Sequence, residues 1–318
     1  MAQVTIPALP RSNAIAWLFP GQGAQAVGMG RDLYEEIPAA RAVFDAADEA
    51  LGFPLSRLCF EGPEDELTRT VNTQPALVAH SIAALIAAIA CGSVKEGPAY
   101  LAGHSLGEYA ALIAAGAVSF TDGIRLVRER GRLMQEACDA QPGTMAAILG
   151  LEREQVAALC EQHGASLCNE NAPGNISIGG PVEAVQAASE AATAAGATRV
   201  VALNVAGAFH TPLMQTAAEG MRSVLASAAF IDPHTPVVSN VTGKPLTAAS
   251  VLPGELTEQI TAPVLWVDGV RTMLALGCTS FIEFGPGRVL TGAIKRTERS
   301  AEVRNIGTAP EARYETSE

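Results

Sequence analysis

The stretch Leu101-Ala-Gly-His-Ser-Leu-Gly-Glu-Tyr-Ala110 restricts the possible folds of this chain more than any other. Gly103, Ser105 and Gly107 form a G-x-S-x-G pattern. The apolar run Ala99 to Ala102 precedes it, and a helix-like segment from Glu108 to Ala115 follows. A strand, a sharp turn and a helix in that order form the elbow that exposes a nucleophilic serine. Small residues let the backbone turn there without clashing. The helix start supplies N–H groups and a partial positive charge beside the hydroxyl, ready for a developing oxyanion. The competing reading is a glycine-rich turn with a capping or buried serine, so other residues must decide.

The chain is 318 residues long, 48% hydrophobic and 17% charged. That gives one large domain with an insertion, or about two domains, with ample core. A net charge of −12 argues against general nucleic-acid binding. No apolar leader of signal-peptide type opens the sequence. The Ala-rich run from Ala76 to Ala90 contains His80 and Ser81 and reads as a buried helix, so no membrane association is expected. Cys59, Cys91, Cys138, Cys160, Cys168 and Cys278 form no CxxC pair. Scattered thiols fit a reduced, cytoplasmic protein without a zinc site.

Strand and helix patterns alternate. Ala14–Phe19 reads as a strand leading into the loop Pro20–Gln25, and helical patterns cover Arg31–Leu51 and Gln74–Ala90. Thr121-Asp122 can cap a helix from Gly123 to Ala137. Such alternation favours an α/β fold with a mainly parallel sheet. Between residues 141 and 206 the pattern changes to β-α-β-β-α-β, with strands at Thr144–Leu151, Ser166–Glu170, Asn175–Gly179 and Thr198–Val205. This is the split βαβ order of a ferredoxin-like unit. The expected organisation is a large α/β hydrolase-like subdomain from 14–140 and 207–307, an inserted ferredoxin-like small subdomain at 141–206, and flexible termini at 1–13 and 308–318.

A serine nucleophile needs a base within hydrogen-bond reach. His163 ends a helix, His80 lies in the apolar helix, His234 sits in a Pro-rich loop, and His104 adjoins the serine itself. His210, in Gly207-Ala-Phe-His-Thr-Pro212, remains as the candidate base; a buried, satisfied imidazole is its competing reading. No acidic residue apart from Asp139 stands suitably between Ser105 and His210. A dyad, with the imidazole oriented by a backbone carbonyl or an amide, is therefore expected rather than a triad. Spacing does not choose among Arg125, Arg128, Arg130 and Arg132. The loop Pro20–Gln25 lacks the Lys-Ser/Thr of a phosphate loop.

Six motifs occur in one order: Phe19-Pro-Gly-Gln-Gly-Ala-Gln25, Gly103-His-Ser-Leu-Gly-Glu-Tyr109, Arg130-Gly-Arg-Leu-Met134, Phe209-His210, Ala262-Pro-Val-Leu-Trp266 and Glu283-Phe-Gly-Pro-Gly287. Over residues 14–307 the chain resembles the malonyl-CoA:acyl carrier protein transacylases and the acyltransferase domains of polyketide synthases. The resemblance implies that Ser105 carries a malonyl ester and His210 is its general base. Gln22 and the backbone N–H of Leu106 would form the oxyanion hole. Arg130 would hold the free carboxylate of malonate. Gln259 would steady the histidine through its carbonyl, Asn240 would form part of the pocket wall, and His104 joins them on the substrate side. It further implies no cofactor or metal. The substrates would be malonyl-CoA and phosphopantetheinylated acyl carrier protein, the enzyme a monomer, and its role the supply of fatty acid synthesis. Lys295, Arg296 and Arg299 are candidates for the carrier-docking face. The rival readings are a stand-alone acyltransferase serving a polyketide synthase, the malonyl transferase of a malonate decarboxylase, and a thioesterase or esterase.

Overall fold

The computed structural model describes residues 4–314. Its framework is a six-stranded sheet of β1 (Ile15–Phe19), β2 (Tyr100–Gly103), β7 (Val237–Val238), β8 (Pro245–Leu246), β9 (Ser280–Phe284) and β10 (Glu302–Ile306). The spatial order is β10-β9-β1-β2-β7-β8. Every neighbouring pair is parallel except β7 with β8. The interior strand β1 reads Ile-Ala-Trp-Leu-Phe and is almost wholly buried, as expected for a parallel strand covered on both faces. Phe19 and Gly103 are aligned at the carboxyl ends of β1 and β2. The loops carrying Gln22, Ser105 and Asn240 therefore leave the same edge of the sheet, where ligands bind in open α/β folds.

The second sheet contains β3 (Thr144–Leu149), β4 (Ser166–Ala172), β5 (Asn175–Gly180) and β6 (Arg199–Ala202), in the order β4-β5-β3-β6 and antiparallel throughout. Helices Arg153–His163 and Val182–Ala194 pack on it around Ile148, Val156, Ile176, Ile178 and Ala188. The two sheets are joined through β4. Val264 N–H donates to Cys168 O (2.8 Å), and Glu170 N–H donates to Val264 O (3.1 Å). Arg153 adds ion pairs to Glu170 (2.9 Å) and Asp268 (2.7 Å).

Helix Thr70–Ala90 runs through the main core and is buried on nearly all sides. It is the only described helix long and apolar enough to cross a membrane, and 83% of its most apolar window lies inside the protein. An all-round apolar helix packed within a large protein has this pattern.

Several local expectations need correction. The 31–51 helical pattern is two helices, Arg31–Glu36 and Pro38–Leu51, because Ile37 is extended ahead of Pro38. The helix expected from Gly123 begins at Phe120, with Ser119 Oγ accepting from Asp122 N–H. The terminal segments are docked within the described residues. Arg11 donates to Ala99 O (2.9 Å), and Ser12 N–H to Gly97 O (2.9 Å). Residues Ala309–Arg313 form a helix that starts from a Thr308 cap and buries Ala309 and Ala312. Two small apolar faces and a cap outweigh the polar composition of this segment. Residues 1–3 and 315–318 of the expected flexible termini lie outside the described residues.

The two elbow glycines are fixed by close approach. A Cβ on Gly103 would lie 1.9 Å from the Gly107 carbonyl oxygen, and one on Gly107 would lie 2.2 Å from Phe19 O. Backbone atoms cannot yield as side-chain tips can. Gly107→Ala should therefore destabilise the fold by more than about 3 kcal/mol, measured by chemical denaturation. Unchanged stability would show that these three backbones are not packed as described.

Candidate active site

Ser105 stands between β2 and helix Gly107–Ala114 with φ +52°. His210 follows Phe209 with φ +60°. These are two of only three described non-glycine residues with positive φ, the third being Tyr314. Left-handed backbone costs a β-carbon-bearing residue of order 1 kcal/mol or more and tends to mark functional sites.

The strained pair is in contact. Ser105 Oγ lies 2.8 Å from His210 Nε2, and His210 Nδ1 lies 2.8 Å from the main-chain oxygen of Gln259. A carbonyl only accepts, so Nδ1 carries the proton and Nε2 presents a lone pair to the serine O–H. The acceptor on Nδ1 is thus a backbone carbonyl, not a carboxylate. Burial, and next the positive charge of Arg130, push His210 down to about 3. The imidazole is therefore neutral at physiological pH, the state a general base requires.

Arg130 projects from helix Phe120–Ala140 and is 1% exposed. Its Nη2 donates to Ser105 Oγ (3.1 Å) and Gln259 Oε1 (2.9 Å), and its Nη1 to Gln74 Oε1 (2.8 Å). Its Nε has no partner. The guanidinium lies 5.9 Å from the Tyr109 ring centroid. Arg130 forms no ion pair among the described residues, an unusual condition for a buried cation.

Asn240 clamps the elbow from behind. Its Oδ1 accepts from Ser105 N–H (2.7 Å), and its Nδ2 donates to Gly103 O (2.7 Å). The expected place for Asn240 on the pocket wall is corrected accordingly: it lies beneath the turn because it satisfies both backbone groups that the turn leaves open. Gln259 is likewise fully buried and does not face the cavity. Its Nε2 donates to Ser105 O (3.0 Å) and to Glu108 Oε2. The backbone N–H groups of Leu106 and Gln22 have no acceptor among the described residues.

A cavity of about 840 Å³ opens in front of Ser105 and His210. Gln22 and Trp266 line it from the main body, and Met145, Asn169, Asn171 and Ser177 from the small sheet. His104 faces this cavity too. Its Nε2 lies 3.0 Å from Asn171 Oδ1, its ring lies 5.6 Å from that of Trp266, and burial lowers it to about 4. Arg69, Arg288 and Arg296 stand along the cavity's lining. Of the three cations expected on the docking face, only Arg296 lines the cavity. Lys295 instead donates to the carbonyls of Arg299 and Ala301, in the turn that follows helix Val289–Thr297.

Sequence reasoning missed Gln74, Glu108 and Asn171. Glu108 lay inside the elbow motif, and Gln74 was a polar residue at the head of an otherwise apolar helix. Nothing local distinguished Asn171 from a turn residue. Among the described residues no group of three His, Cys, Asp or Glu side chains could hold a metal ion.

Comparison with known proteins finds similarity over nearly the whole chain. The family model described as acyl transferase domain matches residues 16–317. The malonyl CoA-acyl carrier protein transacylase of Bacillus subtilis (strain 168) is 47% identical over 295 residues, covering 90% of this chain and 91% of its own. The solved acyl-carrier-protein-S-malonyltransferase from Bartonella henselae is similar at a TM-score of 0.89 and 40% identity, over 95% of this chain and 98% of the other. A further similar structure contains a type II PKS acyl-carrier protein in complex with its malonyl-transacylase. It matches with a TM-score of 0.90 and 38% identity, over 95% and 98% of the two chains.

Three histidines are held neutral by burial: His210 at about 3, and His80 and His104 at about 4. Each folded-state value lies below the unfolded value of about 6.5. Below that pH the unfolded chain binds more protons, so their contribution to stability is intact above pH 6.5 and is lost as pH falls toward 4. Each should cost about 1 kcal/mol per pH unit in that window. Urea titrations between pH 7 and 4.5 check this. A His104→Asn variant should show a shallower slope, and an identical slope would contradict the assignment.

Proposed function

The chain belongs to the acyl transferase domain family, and on that premise we propose that it transfers a malonyl group from malonyl-CoA to the phosphopantetheine thiol of an acyl carrier protein. The observation carrying this reading is the joint placement of Ser105, His210 and an unpaired buried Arg130. An alcohol with a neutral imidazole on it supports attack on a thioester. A guanidinium without a carboxylate partner supports an acyl group that brings its own, because an Arg fork can take both carboxylate oxygens.

The geometry supports the following steps. His210 Nε2 accepts the Ser105 proton as Oγ attacks the thioester carbonyl. The charge that develops on the carbonyl oxygen is met by the Leu106 and Gln22 N–H groups, at the helix start and in the Pro20–Gln25 loop. The imidazolium, steadied by the Gln259 carbonyl, then returns its proton to the departing coenzyme A sulfur. The carrier thiol repeats the sequence in reverse, giving its proton to His210, taking the malonyl group and regenerating the serine hydroxyl. Arg69, Arg288 and Arg296 offer the cationic residues that an acidic carrier and a phosphorylated coenzyme would approach. The related acyl-carrier-protein complex supports such a partner. We assign the reaction to the supply of fatty acid synthesis. We also assign it to the cytoplasm, in keeping with six cysteines that form no disulfide.

Labelled malonyl-CoA should leave a stable ester on the wild-type protein. Ser105→Ala should lose this labelling by roughly five orders of magnitude in rate; label retained on that variant would refute the nucleophile. Arg130→Ala should slow malonyl loading about 100-fold more than acetyl loading, the loss of two charge-assisted hydrogen bonds. Equal losses for the two acyl groups would remove Arg130 from the carboxylate-binding role. Incubation with several holo carrier proteins, read by intact mass, identifies the acceptor.

A further inference from the structure

Two acidic side chains meet behind the elbow with no cation between them. Glu108 is the second residue of helix Gly107–Ala114 and is fully buried; Glu255, from helix Leu252–Glu258, is 8% exposed. Both carboxyl groups are anchored on consecutive main-chain N–H groups of one turn, Glu108 on Asn240 and Glu255 on Val241, which brings them side by side. Glu255 Oε1 accepts from Ser239 Oγ (2.7 Å) and Val241 N–H (3.1 Å). Glu108 Oε1 accepts from Asn240 N–H (3.3 Å), and its Oε2 accepts from Gln259 Nε2. Arg130 and Tyr109 complete the titratable surroundings of Glu108, at longer range.

Two carboxyl groups held side by side in a dry interior do not both ionise near neutral pH. Each accepts two hydrogen bonds, Glu255 both on one oxygen and Glu108 one on each, so burial is what separates them. Glu108 is the deeper of the two, and burial followed by the Glu255 charge raises it well above the usual carboxylate range. We propose that Glu108 works as a neutral carboxylic acid whose O–H is donated to the Glu255 carboxylate. In that state it is a positioning residue, fixing Gln259 while leaving the charge of Arg130 uncancelled for an acidic acyl group. The inference rests on the malonyl reading above and extends it to acyl selection. An ionised Glu108 would hold Gln259 equally well by geometry. Its negative charge, however, would offset the field of Arg130 where the malonyl carboxylate must bind.

The test compares wild type, Glu108→Gln and Glu255→Gln, each verified as folded by thermal melting. Infrared difference spectra report protonated carboxyl groups, and intact mass follows serine loading from malonyl-CoA and acetyl-CoA. Glu108→Gln should lose one protonated-carboxyl band. Its amide can donate to Glu255 and accept from Gln259, so the malonyl-over-acetyl preference should stay within about threefold. Overall loading should slow by up to about tenfold as the Asn240 hydrogen bond is lost. Glu255→Gln removes the negative neighbour and turns an amide donor toward Glu108, favouring its ionised form. The same band should vanish, and the malonyl preference should drop by about tenfold or more. An unchanged band in Glu108→Gln, or a full malonyl preference in Glu255→Gln, would overturn the proposal. If Glu108→Gln does not fold, Glu255→Gln decides alone. Absence of a malonyl ester on wild type would instead refute the malonyl reading, which separates the two failures.

Discussion

Gln259 is the residue through which the site is held together. Its main-chain oxygen accepts from His210 Nδ1, its Oε1 accepts from Arg130, and its Nε2 donates to Ser105 O and to Glu108. One buried amide thus sets the histidine tautomer, anchors the guanidinium and braces the elbow. A side chain with both donors and an acceptor can do this; a carboxylate would lack the donors and would neutralise Arg130. A buried polar network that shares one amide restricts the geometry its members can adopt. Here that geometry comes from four distant parts of the sequence.

The large features were legible because they are written in local patterns. Ser105 announced itself through the glycines of its turn, whose absent β-carbons let β1, β2 and the elbow helix meet. The antiparallel unit showed in strand and helix order, with turn residues at Asn171–Gly174. Arg130 did not emerge from spacing. Four arginines share one helix, and only tertiary packing buries this one while Arg132 pairs with Glu129 and Glu136 on the surface. Asn240 was misread for a similar reason, since an amide in a loop gives no sign of whether it faces ligand or backbone. The polar 308–313 segment looked loose because composition hides a cap and two buried alanines.

The cavity takes its walls from two sheets that share little backbone. They are joined at Val264, which exchanges hydrogen bonds with β4, and at Arg153, which reaches Asp268 and Glu170. Trp266, which lines the cavity, lies two residues beyond the Val264 junction. The width of the acyl site is thus coupled to a short junction of main-chain bonds and one branched ion pair. A partly buried pair of this kind is screened less by salt than an exposed one.

The backbone at Ser105 and His210 has a wider consequence. Both residues occupy a conformation that glycine would adopt at no steric cost. At Ser105, which is only part-buried, a change to glycine would relax the chain and delete the hydroxyl by the same stroke; at His210 the packing of the buried ring and its bond to Gln259 outweigh the strain. The serine position is therefore held by the chemistry it performs against a persistent thermodynamic drift. A search for hardier variants of this protein that screens folding alone would be drawn toward inactive ones.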